Sequence, residues 1–104
     1  MSNRDFPPIH PGEILLEDFL TPMNLSKNEL ADYIHVHLDH ITDIIQGTCG
    51  ITADIAIRLG KFFEMEEQFW MNLQSRYDLE MAREQLSEQL NVEIKSYYSL
   101  NRSF

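Results

Sequence analysis

The apolar positions of this chain recur at three- and four-residue spacing along most of its length, and that spacing predicts helices divided by short, recognisable stops. Pro7, Pro8, Pro11 and Gly12 punctuate the start. A first helix opens at His10-Pro11, because proline is preorganised for the first helical position, where its missing N–H would have no partner. Ile14, Leu15, Phe19 and Leu20 form its apolar face, and Pro22 ends it. Ser26 followed by Glu29 reads as a capping box, which sets the start of a second helix that runs to Ile34 and buries Leu30, Ala31 and Ile34. His35-Val36 is the turn. From His37 the positions Leu38, Ile41, Ile44 and Ile45 line one face of a third helix, and Gly47 stops it as a residue suited to a left-handed conformation. Thr52 caps a fourth helix with Ala53, Ile55, Ala56, Leu59, Phe62 and Phe63 as its apolar positions.

After Glu64 the residues become long, charged and strongly helix-forming. Phe69, Trp70, Leu73 and Tyr77 give one apolar stripe, which Leu79, Ala82, Leu86 and Leu90 continue. Asp78 is placed to cap a restart, with a kink near Tyr77. So long a stripe exceeds what one small domain can cover, and a second copy of the chain is the natural cover. Phe69, Trp70, Leu73, Tyr77, Leu79, Ala82 and Leu86 are therefore expected to hold a homodimer. In the tail, Val92 and Ile94 alternate with polar residues as a short strand would. The chain divides into an arm (1–8), a pair of helices joined by a tight turn (26–47), a dimerisation helix (66–90) and the tail (91–104).

The pair at 26–47 has the form of a helix-turn-helix, in which the second helix is held out for a DNA major groove. Charge resists that reading. Eight Lys+Arg stand against 17 Asp+Glu, a formal net charge of −9, opposite to the usual footprint of a nucleic-acid-binding domain. Between Asn24 and Gly50 the only full positive charge is Lys27, set against Glu29, Asp32, Asp39 and Asp43. Any DNA contact must be local. Ser26, Lys27 and the backbone N–H groups at that helix start suit phosphate, with Arg58 and Lys61 as further cations. His37, Leu38, Asp39, His40, Thr42 and Asp43 are the candidates on the recognition helix, and Thr48 follows its closing glycine. His40 and Thr42 suit base edges better than Asp43, because a carboxylate can only accept, as from a cytosine amino group. Asp39 and Asp43 read equally well as a solvated acidic face. Histidine gains its charge near neutral pH, so His35, His37 and His40 would add positive charge to this surface on acidification.

HPGEILLEDFLTPMNLS, LADYI, ITADIAIRLGKFF and above all FWMNLQSRYDLEMAREQL resemble the HigA/VapI antitoxins of bacterial toxin–antitoxin modules, over roughly Ile9 to Leu90. The resemblance implies an all-α, five-helix Xre/lambda-repressor-like helix-turn-helix domain with a C-terminal helical dimerisation extension. It also implies double-stranded operator DNA and a HigB-like ribonuclease toxin as partners, with repression of the chain's own operon. The chain departs from that family at His35, His37, Asp43 and Thr48, where relatives commonly carry a small turn residue, Ser or Thr at the recognition-helix cap, and cations further on. Most of the expected phosphate contacts are gone.

With 104 residues and 43% hydrophobic content there is room for one core and one domain. A lone Cys49 excludes an internal disulfide and fits a reducing cytoplasm as an inert thiol. No segment has the length and apolarity of a membrane span, so no membrane partner is expected. No nucleophile and base, phosphate-cradling glycine loop or zinc-spaced ligand set is present, so neither enzyme activity, cofactor nor metal is expected, and the histidines read as surface residues. Three functions remain: a repressing antitoxin, a stand-alone Xre-family regulator of the same fold, and a protein-interaction module with weak or lost DNA binding.

Overall fold

The computed structural model describes residues 7–100, and all regular structure among them is helical. Helix α1 spans Pro11–Ile14 and continues as a wide π-helical turn over Leu15–Leu20; α2 is Lys27–Ile34, α3 Leu38–Gln46, α4 Ala53–Phe63, α5 Glu67–Glu93 and α6 the single turn Tyr97–Leu100. The five principal helices are those expected. Most of the arm, with Phe6, and the end of the tail lie outside the described residues.

The sequence stops fall where local chemistry requires. His10 caps α1, its Nδ1 accepting from Gly12 N at 2.9 Å. The capping box is complete: Ser26 Oγ accepts from Glu29 N at 3.0 Å and Glu29 Oε1 accepts from Ser26 N at 2.9 Å. Gly47 closes α3 at φ 86°, and Thr52 Oγ1 caps α4 by accepting from Ile55 N at 3.3 Å. Gly12 serves a different need, since a Cβ there would sit 1.8 Å from the Ile44 carbonyl oxygen, so only glycine lets α1 cross α3 at this distance.

The core is one cluster: Leu15 and Leu20 from the first helix, Leu30, Ala31 and Ile34 from α2, Ile41 and Ile44 from α3, Ile51, Ile55, Ala56 and Leu59 around α4, and Trp70 from α5. The wide turn of the first helix, marked by Thr21 N donating to Leu16 O at 2.9 Å, accompanies the inward placement of both Leu15 and Leu20. Ala53, expected on the apolar face of α4, is exposed.

Three expectations for the C-terminal part are corrected. The helix does not break at Tyr77: Asp78 Oδ1 accepts from the Gln74 side chain at 2.9 Å instead of capping a restart, and α5 runs unbroken for 27 residues, about 40 Å. The tail forms no strand among the described residues, because Val92 lies in α5, Ile94 ends it, and α6 follows. Trp70, expected among the dimer contacts, is 0% exposed and lies within 5.0 Å of the Phe19 ring and 5.1 Å of the Phe69 ring, centroid to centroid. It anchors the chain's own core.

Beyond Ala82 every described residue is exposed. The molecule measures 63 × 25 × 21 Å with a radius of gyration of 18.3 Å, against about 13 Å for a compact chain of this size. The distal half of α5 is a projecting rod.

Candidate nucleic-acid interface

Two ends of the α2–α3 pair are built differently. At the start of α2, Ser26 and Lys27 are exposed; the Ser26 hydroxyl oxygen accepts from Glu29 N, which leaves its O–H available to donate outward. At the end of α2, His35 takes a left-handed conformation (φ 59°, ψ 49°), which a non-glycine residue adopts at a cost. Arg58 holds this corner. Its Nη1 donates to Ile34 O at 2.8 Å and to His35 O at 3.5 Å, while Nε donates to Asp54 Oδ1 at 2.6 Å. A cation on the last carbonyls of a helix also complements the helix dipole. Arg58, expected to serve phosphate, is thus committed to the turn, and Lys61 remains exposed on α4.

Helix α3 begins at His37, whose imidazole makes no capping hydrogen bond and is exposed, so it is free to reach outward. Asp39 is exposed beside it, Leu38 is 37% exposed, and His40, Thr42 and Asp43 are half-buried along the same helix. Thr48 has a local task, since its hydroxyl donates to Asp43 O at 3.2 Å and its N–H donates to the same oxygen at 2.9 Å. That hydroxyl is already used as a donor. Cys49, half-buried, adds its N–H to Asp43 O at 3.2 Å. The structure therefore brings Ser26, Lys27, His37, Leu38, Asp39, His40, Thr42 and Asp43 onto the α2–α3 unit, with Thr48 closing its far end.

Sequence reasoning missed the supports of this unit. Besides Arg58, they are His10 and Gln74. The His10 ring stands edge-on to Tyr77, with centroids 4.8 Å apart, and lies 3.8 Å from where a Cβ on Gly47 would be. Burial holds its pKa below the ordinary histidine value, outweighing the opposite pull of the Cys49 backbone and of the Asp78 and Glu13 carboxylates. Gln74 bonds the backbone of Ile51 at 2.6 Å, across 23 residues of sequence. The visible signal was the motif itself: HPGE and LQ..YD supply His10, Gln74, Tyr77 and Asp78. Among the described residues no cluster of three or more His, Cys, Asp or Glu side chains is arranged to hold a metal ion, and no helix is long and apolar enough to cross a membrane.

No family model matches the chain. Individual relatives do. Virulence-associated protein I of Dichelobacter nodosus is 47% identical over 85% of this chain and 81% of its own length. Antitoxin HigA-1 of Vibrio cholerae is 31% identical over 92% of this chain and 90% of its own. The Pseudomonas aeruginosa antitoxin HigA, solved with the higBA promoter, superposes with a TM-score of 0.84 at 44% identity, over 86% of this chain and 98% of that one. Two of these three are named as antitoxins and none as an enzyme, and each match spans enough of this chain to take in the α2–α3 unit and most of α5. The chain belongs to the HigA/VapI family of helix-turn-helix antitoxins.

Proposed function

We propose that this protein is a homodimeric cytoplasmic antitoxin that binds the operator of its own operon through α2 and α3 and neutralises a HigB-like ribonuclease toxin. The observation that carries the DNA-binding half is the open face of α3: the side chains of His37, Leu38 and Asp39 are exposed and make no hydrogen bond among the described residues, next to the exposed Ser26 and Lys27. A helix presented in this way meets the geometric demand of major-groove reading. The promoter-bound Pseudomonas relative supports it.

The acidic surface shapes the rest. With few cations to release counterions, affinity must lean on Lys27, on the backbone N–H groups of the α2 start and on base contacts. A net charge of −9 suits a basic partner, attracting it over distance while apolar contact holds it. For that partner we assign the segment Phe6 to Phe19, in which Leu15 is buried and the Phe19 ring packs 4.9 Å from Phe63. What the described part of the segment leaves exposed is Pro7, Ile9, Glu13, Glu17 and Asp18. In the dimer the two recognition helices are expected about 34–36 Å apart, one turn of DNA.

Fluorescence anisotropy with a duplex from the chain's own promoter, against a scrambled duplex of the same length, tests the reading. Tighter binding to the promoter is expected. Asp43→Arg should strengthen binding to both duplexes and steepen the salt dependence by about one phosphate contact. Equal binding to both duplexes by the native protein, or none at low salt, would favour the interaction-module reading, which the acidic α3 supports. Co-expression with the neighbouring gene product tests the toxin, and failure to co-purify at low salt would leave a stand-alone regulator.

A further inference from the structure

We propose that Gln74 is a positioning residue for DNA binding, one that fixes the loop closing the recognition helix and so sets the angle at which that helix is offered. The inference rests on the DNA-binding reading above. The loop from Gly47 to Ile51 has local acceptors for most of its backbone: Gly47 N donates to Ile44 O at 3.1 Å, and Thr48 N and Cys49 N both donate to Asp43 O. Ile51 N has none nearby. Ile51 is 4% exposed, and an unpaired N–H there would be costly, so its acceptor comes from another element: Gln74 Oε1 of α5, at 2.6 Å.

The carboxamide is itself held. Its Nε2 donates to Asp78 Oδ1 at 2.9 Å, which settles which end faces the loop. Gly50 gives it room, since a Cβ there would stand 2.9 Å from Gln74 Oε1 and 3.0 Å from its other end atoms. One turn further along α5, Tyr77 backs the His10 ring, which in turn lies against Gly47. Helix α5 therefore holds the loop that follows α3 at both its ends, at Ile51 through Gln74 and at Gly47 through Tyr77 and His10. The start of α3 is set by the turn that Arg58 secures. A recognition helix whose end is held by α5 as well as by the Gly12 crossing meets base edges in one register, whereas one held at that end by the crossing alone has more freedom to tilt, and base contacts tolerate little displacement. Phosphate contacts are more forgiving.

Three variants test this in the intact protein. Gln74→Leu keeps the volume and removes the acceptor. Gln74→Glu keeps the acceptor for Ile51 N but sets its second oxygen against Asp78. Gln74→Glu with Asp78→Asn restores both bonds, the new amide donating to the new carboxylate, at the native net charge. Anisotropy with the promoter and scrambled duplexes, and exchange of the Ile51 amide followed by NMR, are the readouts. Gln74→Leu and Gln74→Glu are each expected to weaken promoter binding about three- to tenfold with scrambled binding unchanged. The double variant should return promoter binding to within about twofold, and Ile51 exchange should speed in Gln74→Leu and slow again in the double variant. Promoter binding by a folded Gln74→Leu at native strength, equal losses on both duplexes, or no recovery in a folded double variant would each overturn the proposal. Should Gln74→Leu fail to fold, Gln74→Glu and its partner variant decide. Native protein that does not discriminate the promoter overturns the DNA-binding reading, and this inference with it.

Discussion

Within α5, Trp70, Leu73 and Tyr77 lie against the rest of the protein, whereas Leu79, Leu86 and Leu90, further along the same helix, are 51%, 38% and 40% exposed. The first half is rich in aromatic side chains and the second in leucine, and at 3.6 residues per turn the two sets fall on opposite sides of α5. Cover separates them as well: α1 and α4 pack on the first half, and among the described residues no element covers the second. Hydrophobic periodicity marks a face that must be covered without naming what covers it. In this unbroken helix one side serves as core over its first turns and the opposite side stands open over its last, and we assign that open side to a second copy of the chain. Fully burying a leucine is worth about 1.5–3 kcal/mol, and because these three are already about half covered, each adds about half of that to the seam.

The comparison can be broken most forcefully at Trp70. Trp70→Ala is expected to lower the unfolding free energy by about 3–5 kcal/mol, a large share of a small domain's stability, at every protein concentration. Leu86→Ala should act through the dimer alone, so its effect on the urea midpoint should grow with protein concentration and fade on dilution. A Leu86→Ala loss as large as that of Trp70→Ala in dilute solution would place both halves in the same core. Next in size is Gly12→Ala, which forces a Cβ toward the Ile44 carbonyl and should cost about 1–3 kcal/mol or more by prising α1 from α3, with the rod untouched. Urea unfolding followed by circular dichroism reads all three.

A smaller effect sharpens the same contrast by pH. Burial depresses the pKa of His10, so the neutral ring, which accepts from Gly12 N, is the form that stabilises the fold. That contribution is complete above the ordinary histidine value of about 6.5 and is lost as pH falls through the lower folded value. His10→Asn, which retains a capping acceptor, should therefore flatten part of the fall in urea midpoint between about pH 7.5 and about pH 5. Asp78 and Glu13 oppose the depression of the His10 pKa, so Asp78→Asn should enlarge the fall by lowering that pKa further. An unchanged acid response in His10→Asn would remove this ring from the account.

Much of the fold was legible because its signals are local. The capping box at Ser26 and Glu29, the turn at His35-Val36, the stop at Gly47 and the Thr52 cap each depend on residues within one helical turn of one another, and all stand where expected. The errors lie where distant chain segments meet. Arg58 read as a cation for phosphate because its acceptors, the carbonyls of Ile34 and His35, lie more than twenty residues away. Asp78 read as a cap because its partnership with Gln74 follows from what Gln74 does at Ile51. Trp70 read as a dimer contact because periodicity cannot show that Phe19, Phe63 and Phe69 surround it. The candidate DNA-facing residues fall on α2, α3 and their flanking caps and loop, where the motif puts them, but the supports behind them could be seen only in three dimensions.

The central claim is that the bare half of α5 assembles two copies while the covered half folds one, and sedimentation velocity of Leu79→Glu/Leu86→Glu at micromolar concentration tests it most directly. The account predicts a dimer for the native protein and a monomer for the variant, with native helical content by circular dichroism. A variant that keeps the native mass, or a native protein that sediments as a monomer, would contradict it.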